Sequence, residues 1–305
     1  SLLEGQQREA LDALLASPWP VKILCLDDGL ADPEAPQRQG ARGNAALFAA
    51  ATLRNAYVWQ GSLATAPQLF DGLRHGIARP RPAFFHLLAV APERHTKPWA
   101  EWPQLAGLAL KSRGFPVFAF DPETENGFLS QATSLDGNPG TDADWWDEPA
   151  VEQHYTYTYA DWLYTQRAWQ AHFTPVYADK AGIKPMAEYL QLGREARQEQ
   201  RPVIFAPDAD GVIMPFAVSN KVVAATEGAL HQWRMLREMA GALTPFPEKL
   251  RKQVEQEWAE KYQQELEQAR SEYELKLQRR EQELMQDVRA KLRDKLLSLS
   301  RTPRN

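Results

Sequence analysis

Three short stretches of the chain hold residue types that could do chemistry. The first is Leu26-Asp27-Asp28-Gly29, followed by Asp32. Carboxylates at the carboxyl end of a parallel strand can ligate Mg²⁺ or orient a metal-bound phosphate, because hard cations take oxygen ligands there. Asp-Gly can equally just end a strand, with Asp27 capping the loop. The second is Arg54-Asn55-Ala56-Tyr57-Val58-Trp59-Gln60-Gly61-Ser62-Leu63-Ala64, a strand leading into a small-residue turn. Such a junction could present backbone N–H groups to an anion, or serve as an ordinary strand-to-helix connection. The third is Ala91-Pro92-Glu93-Arg94-His95 after an apolar run. An acid, a base and an imidazole together would suit proton transfer, although a lone loop histidine is commonly only a polar surface residue.

Other constellations carry less. The sequence holds no G-x-G-x-x-G, no P-loop and no G-x-S-x-G. Asp208-Ala-Asp-Gly211 fails as a calcium loop, since Gly211 stands fourth rather than sixth and position twelve is Ser219. His86 sits inside an apolar run and reads as a core histidine, while His154 and His172 have no partner at metal spacing. The single cysteine, Cys25, excludes an intrachain disulfide and any all-cysteine zinc or iron–sulfur site built from this sequence alone.

The elements that would position these residues alternate. Gln7–Ala16 has the spacing of a short amphipathic helix, stopped by Ser17-Pro18. Val21–Leu26 reads as a buried parallel strand, Asn44–Leu53 as a helix, Ala56–Gln60 as a second strand, Ala66–His75 as a helix and Ala83–Val90 as a third strand. This alternation predicts right-handed crossovers and an α/β fold with a parallel sheet and flanking helices over residues 1–98. Residues 99–245 form an α+β extension. Phe115–Phe120 is a strand there, 121–149 a long surface excursion closed by Trp145-Trp146, and Tyr159–Phe173, Met186–Gln198 and Val222–Ala240 are helices. Val203–Ala206 and Val212–Val218 form a hairpin around the Asp-Gly turn, giving the span 203–218. The alternating aromatics Tyr155, Tyr157, Tyr159, Trp162 and Tyr164 belong to the core or to a domain seam.

Residues 246–305 change character. Pro247 suits a first helical turn, and from there to Arg301 no Gly or Pro follows. Apolar residues recur from Leu250, Val254, Trp258 and Tyr262 through Leu292, Leu296 and Leu299, at about 3.8 residues per step. That spacing exceeds the 3.5 of a left-handed coiled coil and predicts one long helix that pairs in a straight or right-handed manner. With 14 Lys/Arg against 12 Asp/Glu in 247–305, the helix is a mixed-charge rod suited to docking or to dimerising through 247–301.

The whole chain carries 35 Lys/Arg against 40 Asp/Glu, a formal net charge of -5. This gives no general attraction to nucleic acid or anionic membrane. No apolar run approaches the ~20 residues needed to span a bilayer, and the sequence opens without a basic-then-apolar signal pattern. A cytoplasmic location is the resulting expectation.

The run Glu9–Asp27, the segment Asn55-Ala-Tyr-Val-Trp-Gln60 and the segment Pro82–His95 together resemble part of the thiamine-diphosphate domain of pyruvate (2-oxoacid):ferredoxin/flavodoxin oxidoreductases. The resemblance covers about 85 of the 305 residues, the C-terminal half of that domain, with 99–245 as a family extension. It implies oxidative decarboxylation of a 2-oxoacid to an acyl-CoA, with thiamine diphosphate and Mg²⁺ as cofactors and iron–sulfur clusters held elsewhere. It further implies that Asp27, Asp28, Asn55 and Gln60 line the cofactor, that Asp32 meets the metal and that His95 is catalytic on the substrate side. Other domains or subunits of the same oxidoreductase would be partners. The family's Gly-Asp-Gly metal segment would lie upstream of Glu9, and Gly29-Leu-Ala-Asp-Pro33 lacks the Asn of the motif's second half. The chain is therefore expected to be a piece of a longer polypeptide with a diverged site, inactive alone, or else a non-catalytic assembly protein that has kept the fold and uses the long helix to recruit a partner.

Overall fold

The computed structural model describes residues 6–34, 51, 54–96, 101–124, 128–148, 155–177, 182–208 and 210–300. The chain divides into two compact units, Ser1–Leu243 and Thr244–Asn305. The elements in chain order are α1 (Gln6–Ala16), β1 (Lys22–Asp27), β2 (Tyr57–Gly61), α2 (Ala66–Ala78), β3 (Ala83–Leu88), α3 (Trp102–Lys111), β4 (Phe118–Phe120), α4 (Leu129–Ala132), β5 (Thr133–Ser134), β6 (Trp146–Glu148), β7 (Tyr155–Tyr157), α5 (Tyr159–Tyr164), β8 (Phe173–Pro175), β9 (Ile183–Pro185), α6 (Met186–Tyr189), α7 (Arg194–Gln198), β10 (Arg201–Pro207), β11 (Ile213–Val218), α8 (Asn220–Met239) and α9 (Phe246–Ser300). The helix expected at Asn44–Leu53, apart from the helical and buried Ala51, and His154 lie outside the described residues.

The first sheet has the order β1-β3-β2-β4-β5. β1, β3 and β2 run parallel, as the alternation of strands and helices predicts, whereas β4 joins β2 antiparallel and β5 joins β4 antiparallel. The fold is thus mixed α/β with parallel pairs, not an all-parallel sheet. Successive side chains point to opposite faces. Tyr57, Trp59 and Phe85 face α2, which brings Leu69 and presents Gly72 and Gly76 to the aromatic rings. Val58, Phe84, Phe118 and Phe120 face the other way and pack with Leu11 and Leu15 of α1 and with Trp233 and Leu236 of α8.

Two expectations are corrected here. β1 is the sheet's edge and not a buried strand, with Leu24 and Leu26 exposed at 58% and 55%. A boundary at 98/99 does not separate compact units, because Phe118–Phe120 from the second segment adds directly to β2.

A second sheet, β8-β11-β10-β9, carries the expected 203–218 hairpin. Its turn places Gly211 at φ 81, and the Asp208 carboxylate accepts from the Asp210 and Val212 amides. Ile204, Ala206 and Phe216 of this sheet share one core with Trp162 and Leu163 of α5 and with Leu88 of β3, so Tyr159, Trp162 and Tyr164 of the aromatic cluster are core, while Tyr155 and Tyr157 are half-buried on β7. The helix expected over Tyr159–Phe173 is α5 followed by a 3-10 segment, Arg167–His172, and the one expected over Met186–Gln198 is broken into α6 and α7.

The stretch 121–149 is no free excursion. Asn138 accepts from the Val117 amide and donates to its carbonyl at 2.7 Å. The buried Arg113 guanidinium donates to the carbonyls of Pro139 (2.7 Å) and Gly140 (2.8 Å) and stacks 4.2 Å over Trp233. Arg237 holds Asp144 at 2.9 Å and the Asp142 carbonyl at 2.6 Å. The loop is sewn to the core by buried guanidinium groups, which local composition does not reveal.

In the second unit, α9 runs unbroken for 55 residues. No helix among the described residues is long and apolar enough to cross a membrane.

Candidate functional site at the carboxyl edge of the first sheet

Three strands bring Asp27, His86 and Gln60 onto one sheet face. Register pairs Cys25 with His86 and Gln60 with His86, and places Asp27 one diagonal step further along β1. Cross-strand and diagonal neighbours are within side-chain reach. His86 Nε2 lies 2.9 Å from Asp27 Oδ2, and His86 Nδ1 lies 2.7 Å from Gln60 Oε1. Gln60 is oriented from its far side, since its Nε2 donates to the Pro116 carbonyl at 2.9 Å. A carbonyl only accepts, so the amide oxygen must face the imidazole, and both imidazole nitrogens face acceptors. His86 and Gln60 are fully buried, and Asp27 keeps 24% of its side chain exposed.

Burial alone would raise the Asp27 carboxyl, but the His86 hydrogen bond and charge together with the Gly29 amide outweigh it and hold the group below its ordinary value. The same carboxylate and, more strongly, burial push the Cys25 thiol up, which leaves it protonated and unreactive at neutral pH.

The loop after β1 is where an anion or metal would bind in an open α/β sheet. Here it is roofed by the chain's own later residues. Trp162 Nε1 donates to the Gly29 carbonyl at 3.1 Å, the Gln166 amide oxygen accepts from Ala31 N at 2.9 Å, and Trp169 Nε1 donates to the Ala31 carbonyl at 2.8 Å. Gly29 is at φ 68, and a Cβ there would run into Leu88 and Trp162, so only glycine fits under the roof. The remaining carboxylates are spent locally: Asp27 Oδ1 accepts from Gly29 N at 2.8 Å, Asp28 from Leu30 N at 3.1 Å and Asp32 from Glu34 N at 2.9 Å.

His95 is fully buried. Its Nδ1 lies 3.0 Å from Thr165 Oγ1, its ring centroid lies 5.1 Å from that of Trp162, and its backbone bridges to Gln166. Burial lowers its pKa despite Asp28 and Glu93, so the ring is neutral at physiological pH, with Nε2 buried and without a hydrogen-bond partner.

The chain matches no protein-family model and no curated protein.

The expected site residues therefore meet only in part. Asp27, Asp28 and Asp32 share the carboxyl edge, and Gln60 reaches it through His86. Asn55 does not: it precedes β2 on the amino-terminal edge, donates to the Leu15 and Ser17 carbonyls at 2.8 and 2.9 Å and accepts from Arg81. Its placement at a cofactor is corrected, because parallel strands put their starts and ends on opposite edges. Among the described residues no group of three or more His, Cys, Asp or Glu side chains is placed to hold a metal ion. The described residues at this edge do not by themselves form a Mg²⁺ site, since the carboxylates of Asp27, Asp28 and Asp32 each accept from a backbone amide two residues on. His86 is the participant that sequence reasoning left in the core; its signal was a histidine in an otherwise apolar strand with an Asp ending a neighbouring one.

Proposed function

We propose that this chain is a non-catalytic assembly element, an α/β unit whose ligand edge has been closed by its own aromatic side chains and which carries a long helix for pairing. The observation that carries this reading is the closed loop at residues 29–31: its amides, which an anion would need, already donate to Asp27, Asp28 and Gln166, and its Gly29 and Ala31 carbonyls accept from Trp162 and Trp169. The resemblance to the thiamine-diphosphate domain of 2-oxoacid:ferredoxin oxidoreductases enters as the ancestry of the unit. A second reading, a domain or subunit of such an oxidoreductase that decarboxylates a 2-oxoacid to an acyl-CoA, draws on one feature, the Asp27–His86–Gln60 chain with its partly open carboxylate.

Thermal unfolding with and without Mg²⁺ and thiamine diphosphate separates the two. A ligand that binds only the folded state, present at a hundredfold its Kd, contributes about 2.7 kcal/mol and raises Tm by several degrees. The assembly reading expects no shift. A shift of several degrees that Asp32→Ala abolishes would establish the oxidoreductase reading instead.

A further inference from the structure

The stripe on α9 has no cover within its own unit. Trp258, Tyr262 and Tyr273 are 71%, 67% and 65% exposed, and Val254, Leu266, Leu277, Leu284, Val288, Leu292 and Leu296 are all exposed as well. A helix of this length draws its stability from packing of an apolar face rather than from propensity, and exposed apolar surface on this scale marks an interaction site. What covers it is written in the two halves of the helix.

Residues 253–274 hold seven Glu against Lys261 and Arg270, while residues 276–297 hold seven Lys/Arg against Glu281, Glu283, Asp287 and Asp294. One half is acidic and the other basic, with Leu275 between them. Between Val254 and Leu296 the stripe is also symmetric about that residue. Positions equidistant from Leu275 are Val254 with Leu296, Trp258 with Leu292, Tyr262 with Val288, Leu266 with Leu284, Ala269 with Glu281, and Tyr273 with Leu277. An antiparallel partner of identical sequence therefore sets every large aromatic against an aliphatic side chain, and sets the smallest stripe residue against the one charged residue, whose carboxylate then has room to reach water. A parallel partner would stack Trp258 on Trp258, Tyr262 on Tyr262 and Glu281 on Glu281, with acidic halves side by side. Overpacked layers and like charges are both unfavourable.

We infer that α9 pairs with α9 of a second copy of this chain as an antiparallel two-helix coil, its two-fold axis at Leu275 and its acidic half lying along the partner's basic half. The step of about 3.8 residues gives the pair a right-handed wrap. This inference rests on the assembly reading above and supplies its partner.

The test uses the full chain with Cys25→Ser, carrying either Tyr262→Cys or Val288→Cys, two stripe positions that the pairing sets face to face, each a single change that leaves the other layers of the seam in place. Sedimentation equilibrium should give twice the 34.6 kDa chain mass. A short bis-maleimide should link the two variants to each other after they are unfolded together and refolded, and should link neither to itself, since like positions lie 26 residues apart, about 39 Å along the helix. Self-linking of either variant, a monomeric mass, or a dimer that gives no cross-link in any mixture would each overturn the proposal. Stabilisation by thiamine diphosphate in an antiparallel dimer would remove the assembly-only reading and leave the pairing standing. A monomer without that stabilisation would remove the pairing and leave assembly to another surface.

Discussion

Asp27 is held by a histidine that is itself held by a glutamine, and each link depends on the one behind it. Gln60 is fixed by the Pro116 carbonyl, His86 by Gln60, and the Asp27 carboxylate by His86 and by the Gly29 amide. Replacing Asp27 with Asn removes the charge that answers the imidazole. The cost is about 1–3 kcal/mol at neutral pH, the range for stranding a buried hydrogen-bonding partner, and lies toward its lower end because Asp27 is partly solvated. The pH dependence has a definite sign. The folded-state pKa of Asp27 is depressed, so on acidification the unfolded chain takes up the proton first. Its contribution is fully present above the ordinary carboxylate value and is lost as pH falls through the folded value. Denaturant melts of both proteins from pH 7 downward should show the gap between wild type and Asp27→Asn constant to about pH 5 and closing below about pH 4. A gap that stays constant to pH 2 would mean that the carboxylate is not what holds the site.

At the scale of the element, α2 shows how tightly a helix can sit on this sheet. A Cβ on Gly72 would overlap the Trp59 indole, and one on Gly76 would meet Tyr57 and Phe85. An interior helical glycine usually gains about 0.5–1 kcal/mol from replacement by Ala. Here the buried indole has to give way, so Gly72→Ala should destabilise by about 1–3 kcal/mol, seen as a lower urea midpoint at unchanged m-value. A rise in the midpoint would show that the indole relocates freely. Much at this scale was legible in the sequence: β2 and β3 from their apolar runs, α1 and α8 from their spacing, the hairpin from Asp-Gly, α9 from the absence of breakers. What was not legible is what depends on strand order. In the order β1-β3-β2 the last of the three parallel strands stands between the other two, so His86 lands between Asp27 and Gln60, a meeting that no local pattern announces. Asn55 and Gln60, five residues apart, fall on opposite edges because β2 runs between them. The anchoring of 139–144 by Arg113 and Arg237 was hidden too, because an arginine's partners are set by tertiary packing and composition marks only the loop.

At the scale of the molecule, the charge division of α9 sets how salt acts on self-association. Opposite signs face each other in the antiparallel pair, so raising ionic strength screens an attraction and weakens the dimer. Reversing Glu255, Glu257 and Glu260 to Lys makes both halves basic, and two-fold symmetry doubles the effect by placing each reversed set along a basic half. The dimer should weaken by roughly tenfold or more, the sum of several individually small exposed pairs. Its salt dependence should also change sign, because salt now screens a repulsion. Adding Arg289→Glu, Lys291→Glu and Arg293→Glu to the same chain restores opposite halves and should return both the affinity and the original salt slope. Sedimentation equilibrium of the three proteins over a range of NaCl reads all of this. A parallel pair behaves differently in the wild type, since its like halves lie together and salt would strengthen it from the start. The sign of the wild-type slope thus distinguishes the two orientations without any label on the protein, and a positive slope would sink the antiparallel arrangement.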